Sequence, residues 1–75
     1  MLIGVPKEIK NHEYRIGMTP AGVKELVGRG HQVLVQNQGG EAVGFTDDDY
    51  RLAGAELVGS AKDIFARADM IVKVK

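Results

Sequence analysis

A chain of 75 residues with ten basic and ten acidic side chains carries no net charge and has room for one small domain at most. Balanced charge, no one-sided basic stripe and an aromatic content of 5% exclude a nucleic-acid platform. No apolar run approaches the ~20 residues of a membrane span, and the N-terminus lacks the basic and long apolar regions of a signal peptide. With no cysteine, and with His12 and His31 not spaced as metal ligands, neither disulfide nor metal is expected. The composition fits a cytoplasmic, globular protein.

Leu2–Val5 is an apolar run closed by Pro6, which predicts a buried strand. A long connection follows, carrying Lys7, Glu8, Lys10, His12, Glu13 and Arg15. Strand-to-helix loops usually take ~2–6 residues, and long loops on rigid scaffolds are common sites of function. Thr19 before Pro20 reads as an N-cap with proline at the first helical position. Val23, Leu26 and Val27 recur at helical spacing, and Gly30 stops that helix. Gln32–Gln36, with Val33, Leu34 and Val35 uninterrupted, predicts a strand covered on both faces.

Gly39, Gly40 and Gly44 mark a turn. Thr46 opens a short helix by capping the amide of Asp49, and Asp47, Asp48 and Asp49 suit the positive end of its dipole. That placement accounts for the acidic run without a metal. Tyr50, Leu52 and Ala53 are expected to face inward, and Gly54 ends the helix. Ala55–Val58 predicts a minor third strand. Ser60 caps the next helix with Asp63 as its acidic partner, and Ile64 and Phe65 are the expected inward anchors. Met70–Val74 is the last strand.

Strands alternating with helices predict an α/β fold, a parallel sheet joined by right-handed crossover helices. Such a sheet needs helices on both faces. The few modest helices here predict a fragment, residues 1–75 forming the N-terminal portion of a larger domain.

In open parallel sheets ligands bind outside the carboxyl ends of the strands, where successive connections leave in opposite directions. If Met70–Val74 returns to the far side of the first strand, a crevice opens between those two strand ends. Arg15 lies on the loop leaving one of them and Lys75 at the tip of the other. Two converging cations call for an anion between them. Arginine offers a planar fork to a carboxylate, and lysine a point charge able to polarise a carbonyl oxygen. Spacing alone leaves Arg15 free to pair with Glu8 or Glu13 instead, and does not choose between Lys73 and Lys75, which share a strand face. Glycines 39, 40 and 44 fit neither G-x-G-x-x-G nor the phosphate-loop pattern.

Gly4-Val5-Pro6-Lys7-Glu8-Ile9-Lys10, Glu13, Arg15, Thr19-Pro20-Ala21-Gly22-Val23 and Gly30-His31 resemble the N-terminal signature of the alanine dehydrogenase family. The alpha subunit of pyridine nucleotide transhydrogenase shares that signature. The likeness continues through Gly44-Phe45, Asp47, Asp49-Tyr50, Ala53-Gly54-Ala55 and Ala68–Lys75, and so spans nearly the whole chain. His12, where asparagine is common, and Ile16-Gly17, in place of Val-Ala, are small departures. The resemblance implies a Rossmann-like or flavodoxin-like domain, here the start of the substrate domain, with the nucleotide-binding domain absent. It implies NAD-dependent, reversible oxidative deamination of L-alanine to pyruvate and ammonia, commonly in a homohexamer. It also implies that Arg15 and Lys75 bind the substrate carboxylate and keto oxygen, and that the catalytic histidine and aspartate and the NAD site lie beyond Lys75. Transhydrogenase subunits tend to carry asparagine at the position of Lys75, so the dehydrogenase is favoured. The alternatives are the alpha subunit of a proton-translocating transhydrogenase and a non-catalytic α/β interaction module.

Overall fold

The computed structural model describes residues 1–7, 17–40 and 44–73. Four strands, β1 (Leu2–Val5), β2 (Gln32–Gln36), β3 (Glu56–Val58) and β4 (Met70–Ile71), alternate with three helices, α1 (Pro20–Gly28), α2 (Asp47–Leu52) and α3 (Ala61–Arg67). All pairings are parallel, in the order β3-β2-β1-β4. The chain therefore steps outward from β1 to β3, then crosses back over two strands to place β4 on the other side of β1.

The alternation of side chains along the strands sorts them into two cores. Ile3 and Val5 of β1 and Val33 and Val35 of β2 pack with Val23 of α1 and Tyr50 of α2. Leu34 points the other way and packs with Val58 and with Ile64 of α3. Thus α1 and α2 cover one face and α3 the other, so even these few helices give both faces of the described sheet some cover. Gly4 lies under α3, where a Cβ would collide with Cγ2 of Ile64 and stand 2.8 Å from Cβ of Ala68.

The helix starts are set locally, as their sequences foretell. Thr19 Oγ1 accepts from the amide of Gly22, and Ser60 Oγ from that of Asp63. At α2, Thr46 accepts from the amide of Asp49, whose carboxylate accepts in turn from the amide of Thr46, closing a capping box. Gly30 (φ 93°) and Gly54 (φ 107°) take the left-handed conformation after their helices.

Three expectations need correction. Leu52 is 88% exposed and Phe65 56% exposed, whereas the other residues expected to face inward do so: Tyr50 and Ile64 are buried and Ala53 packs against the core. In so short a helix the angle round the axis decides which side chain meets the sheet, and Leu52, two residues after Tyr50, stands about 200° away from it, on the outer side. The third strand begins at Glu56, since the amide of Ala55 still bonds the carbonyl of Tyr50. The regular ladder of β4 is confined to Met70–Ile71, although the amide of Val72 continues it to the carbonyl of Gly4. Val74, the end of the expected strand, and Lys75 at its tip lie outside the described residues.

Candidate functional site

Because β2 and β4 flank β1, the connection leaving β1 turns towards β2 while β4 stands on the opposite side. This is a switch of strand order, and its crevice opens at the carboxyl ends of β1 and β4. The condition attached to the expected crevice is met in the topology.

Two side chains from other elements fix the long connection at its ends. The amide of Lys7, just past β1, donates to Oε1 of Gln36 at the end of β2, at 2.8 Å. At the far end, the hydroxyl of Tyr50 in α2 donates to the carbonyl of Met18, at 2.9 Å. Between that carbonyl and β4 sits Gly17. A Cβ there would stand 2.6 Å from the carbonyl oxygen of Val72 and 2.9 Å from Cα of Lys73. The return of the connection therefore runs backbone against backbone along the extension of β4.

Arg15 and Lys75 both lie outside the described residues, as do Glu8, Glu13 and His12. Arg15 is two residues before Gly17, and Lys75 two residues after Lys73. Gly17 and Lys73, the described residues two positions from each of them in the chain, meet at the carboxyl end of β4. Lys7 and Lys73 are exposed at that same end.

His31 follows Gly30 at the amino end of β2, the opposite end of the sheet from the crevice. Its Nδ1 is buried without a hydrogen-bond partner among the described residues. Asp69 serves the same amino end, accepting from the amide of Leu2 at 2.9 Å. In the acidic run, Asp47 accepts from the amide of Gln38 at 2.7 Å, Asp48 pairs with Arg51, and Asp49 closes the capping box. Among the described residues no group of three His, Asp or Glu side chains could hold a metal ion, and no helix is long and apolar enough to cross a membrane.

An open depression of about 680 Å³ lies beside the starts of α1 and α2, lined by Thr19, Pro20, Phe45, Asp49 and Leu52 among others. Among the described residues its one charged lining group is the carboxylate of Asp49, the wrong sign for an acid ligand.

The residues that sequence reasoning missed are Gln36, Tyr50 and Gly17. Tyr50 was expected to face inward, but a hydroxyl bonded 32 positions away leaves no local signature. Burial, and secondarily the Asp49 charge, push the Tyr50 hydroxyl up to about 12 from 10.0. A raised native pKa stabilises the fold fully below pH 10, and the benefit is lost as pH climbs to 12. That stabilisation is at most roughly 2–3 kcal/mol. Denaturant titrations from pH 8 to 12 are expected to show a steeper loss of stability in the wild type than in Tyr50→Phe. Parallel losses would show that the hydroxyl is not buried.

Residues 4–75 match the family model described as alanine dehydrogenase/PNT, N-terminal domain. Alanine dehydrogenases of Halomonas elongata, Mycobacterium tuberculosis and Bacillus subtilis are 55%, 52% and 48% identical over all 75 residues. The chain spans 20% of the length of each. A solved L-alanine dehydrogenase superposes on 97% of the chain with a TM-score of 0.94 and 53% identity, over 20% of that structure. A transhydrogenase from Sinorhizobium meliloti superposes with a TM-score of 0.88 at 32% identity, over the same shares of the two chains.

Proposed function

Since this chain belongs to the alanine dehydrogenase/PNT N-terminal domain family, we propose that it is the opening part of the substrate domain of an NAD-dependent L-alanine dehydrogenase. The reaction is the reversible oxidative deamination of L-alanine to pyruvate and ammonia. One observation carries the reading: the backbone contact of Gly17 with Val72 and Lys73 at the switch point of the sheet. It supports a crevice in which the Arg15 guanidinium takes the carboxylate as a two-pronged partner. The Lys75 ammonium faces the oxygen of the keto acid and of the carbinolamine formed from it. Asp49 and the rest of the acidic run are engaged elsewhere, which leaves the crevice suited to an anion.

In this reading the chain's own residues bind and orient the substrate. The remainder of the polypeptide would hold NAD, which would supply the hydride acceptor for the alanine Cα. Proton transfer also belongs to that remainder. The relatives' printed names favour the dehydrogenase over the transhydrogenase, and so does Lys75, a residue whose charge has work to do only if a keto acid is bound. We further propose a cytoplasmic enzyme that assembles as a homo-oligomer, a hexamer by the family resemblance.

The test is alanine-dependent reduction of NAD by the polypeptide at its natural length. Reduction that saturates with L-alanine, together with no reduction by residues 1–75 alone, is the expected result. Hydride exchange between nucleotides without any dependence on alanine or pyruvate would favour the transhydrogenase. Neither activity at natural length would favour a non-catalytic module.

A further inference from the structure

We infer that Tyr50 is a positioning residue for the carboxylate site: its hydroxyl holds the Met18 carbonyl and so fixes the described end of the connection that carries Arg15, three residues earlier in the chain. The inference rests on the proposed role of Arg15 in binding the acid.

Tyr50 is fully buried, and its ring is fixed on two sides. Phe45 packs against it edge to face, with centroids 6.2 Å apart at 82°. Gly40 lies so close that a Cβ there would stand 2.8 Å from both Cε2 and the hydroxyl oxygen. The ring thus occupies a slot that only glycine leaves open, and its hydroxyl has one placement. Phenylalanine would fill the same apolar volume, so the hydroxyl is not needed for core packing. Its partner is the backbone carbonyl of Met18, next in sequence to Gly17, which lies against Val72 and Lys73. A rigid chain of contacts therefore runs from α2 through Met18 and Gly17 to the end of β4. The connection's other end is tied by Gln36 to Lys7, but Met18 is the tie nearer to Arg15, three residues away. An immobilised segment loses less freedom when a ligand binds, and that saving appears as affinity.

The experiment measures pyruvate affinity by calorimetry in the polypeptide at natural length, for wild type, Tyr50→Phe, Arg15→Ala and the double variant. Tyr50→Phe is expected to weaken pyruvate roughly five- to tenfold, the equivalent of one neutral hydrogen bond. In steady state the change is expected in KM rather than kcat. With Arg15→Ala already present, Tyr50→Phe is expected to add nothing, because both changes act through one contact. Should Tyr50→Phe fail to fold, Gly40→Ala displaces the same ring and is expected to show the same dependence on Arg15. Unchanged pyruvate affinity, or an effect that persists in full without Arg15, would overturn the positioning role and leave the hydroxyl to the core alone. A wild type that fails to bind pyruvate, or Arg15→Ala with wild-type affinity, would overturn the underlying reading instead.

Discussion

Lys75→Ala in the polypeptide at natural length is expected to lower kcat by roughly 10²–10³-fold, whereas Arg15→Ala chiefly raises KM for pyruvate. The difference follows from when each charge is needed. The substrate carboxylate is negative before, during and after hydride transfer, so a guanidinium paired to it stabilises ground and transition states alike. Such uniform binding shows in KM. Negative charge on the keto oxygen grows only as ammonia adds to the carbonyl, so an ammonium placed there acts mainly on the barrier. Lys75→Arg is expected to recover little, because a planar fork does not replace a compact point charge. Steady-state kinetics of the three variants check this, and equal modest losses in both parameters would count against the division of labour.

Ile64→Ala is expected to destabilise the fold by about 2–5 kcal/mol, the largest stability effect of any single truncation in α3. Ile64 is the one buried residue of that helix, and it meets Leu34 and Val58 across the sheet. Phe65, exposed on the outer side, contributes far less. Native stability amounts to roughly 0.05–0.15 kcal/mol per residue, so a loss of this size is a large share of what a small domain has. Gly4→Ala is also expected to be destabilising, by about 1–3 kcal/mol, since its methyl meets Ile64 and Ala68. The two changes are expected to be sub-additive, because removing the Ile64 side chain vacates part of the space the new methyl needs. Denaturant unfolding of the two single variants and the double variant measures the coupling. Strict additivity would mean that α3 does not press on β1 at Gly4.

The helix starts at Thr19, Thr46 and Ser60 were legible because a cap is a matter of three or four successive residues. Strand positions were legible too, since Val33-Leu34-Val35 has no polar member to spoil burial on either face. The exposed faces of the short helices were not. Apolar residues at Leu52 and Phe65 carry the composition of a core without its geometry, and only the packed sheet reveals which side of a two-turn helix it meets. The crevice was legible as a condition, since sequence order cannot say on which side of β1 the last strand returns. Arg15 and Lys75 were reached through that condition and through the family resemblance. Tyr50 was legible as an inward residue, but the distant contacts of Gly17, Gln36 and Tyr50 were not, because a lone glycine, glutamine or tyrosine carries no mark of a partner far away in the chain.

The most direct measurement is an amide chemical-shift titration of the isotope-labelled polypeptide with pyruvate. Saturable shifts concentrated at Gly17, Met18, Val72 and Lys73, weakened by salt and abolished by Arg15→Ala, are expected. Shifts concentrated instead around Gly30 and His31, at the opposite end of the sheet, or no saturable shifts at all, would contradict a substrate site between β1 and β4.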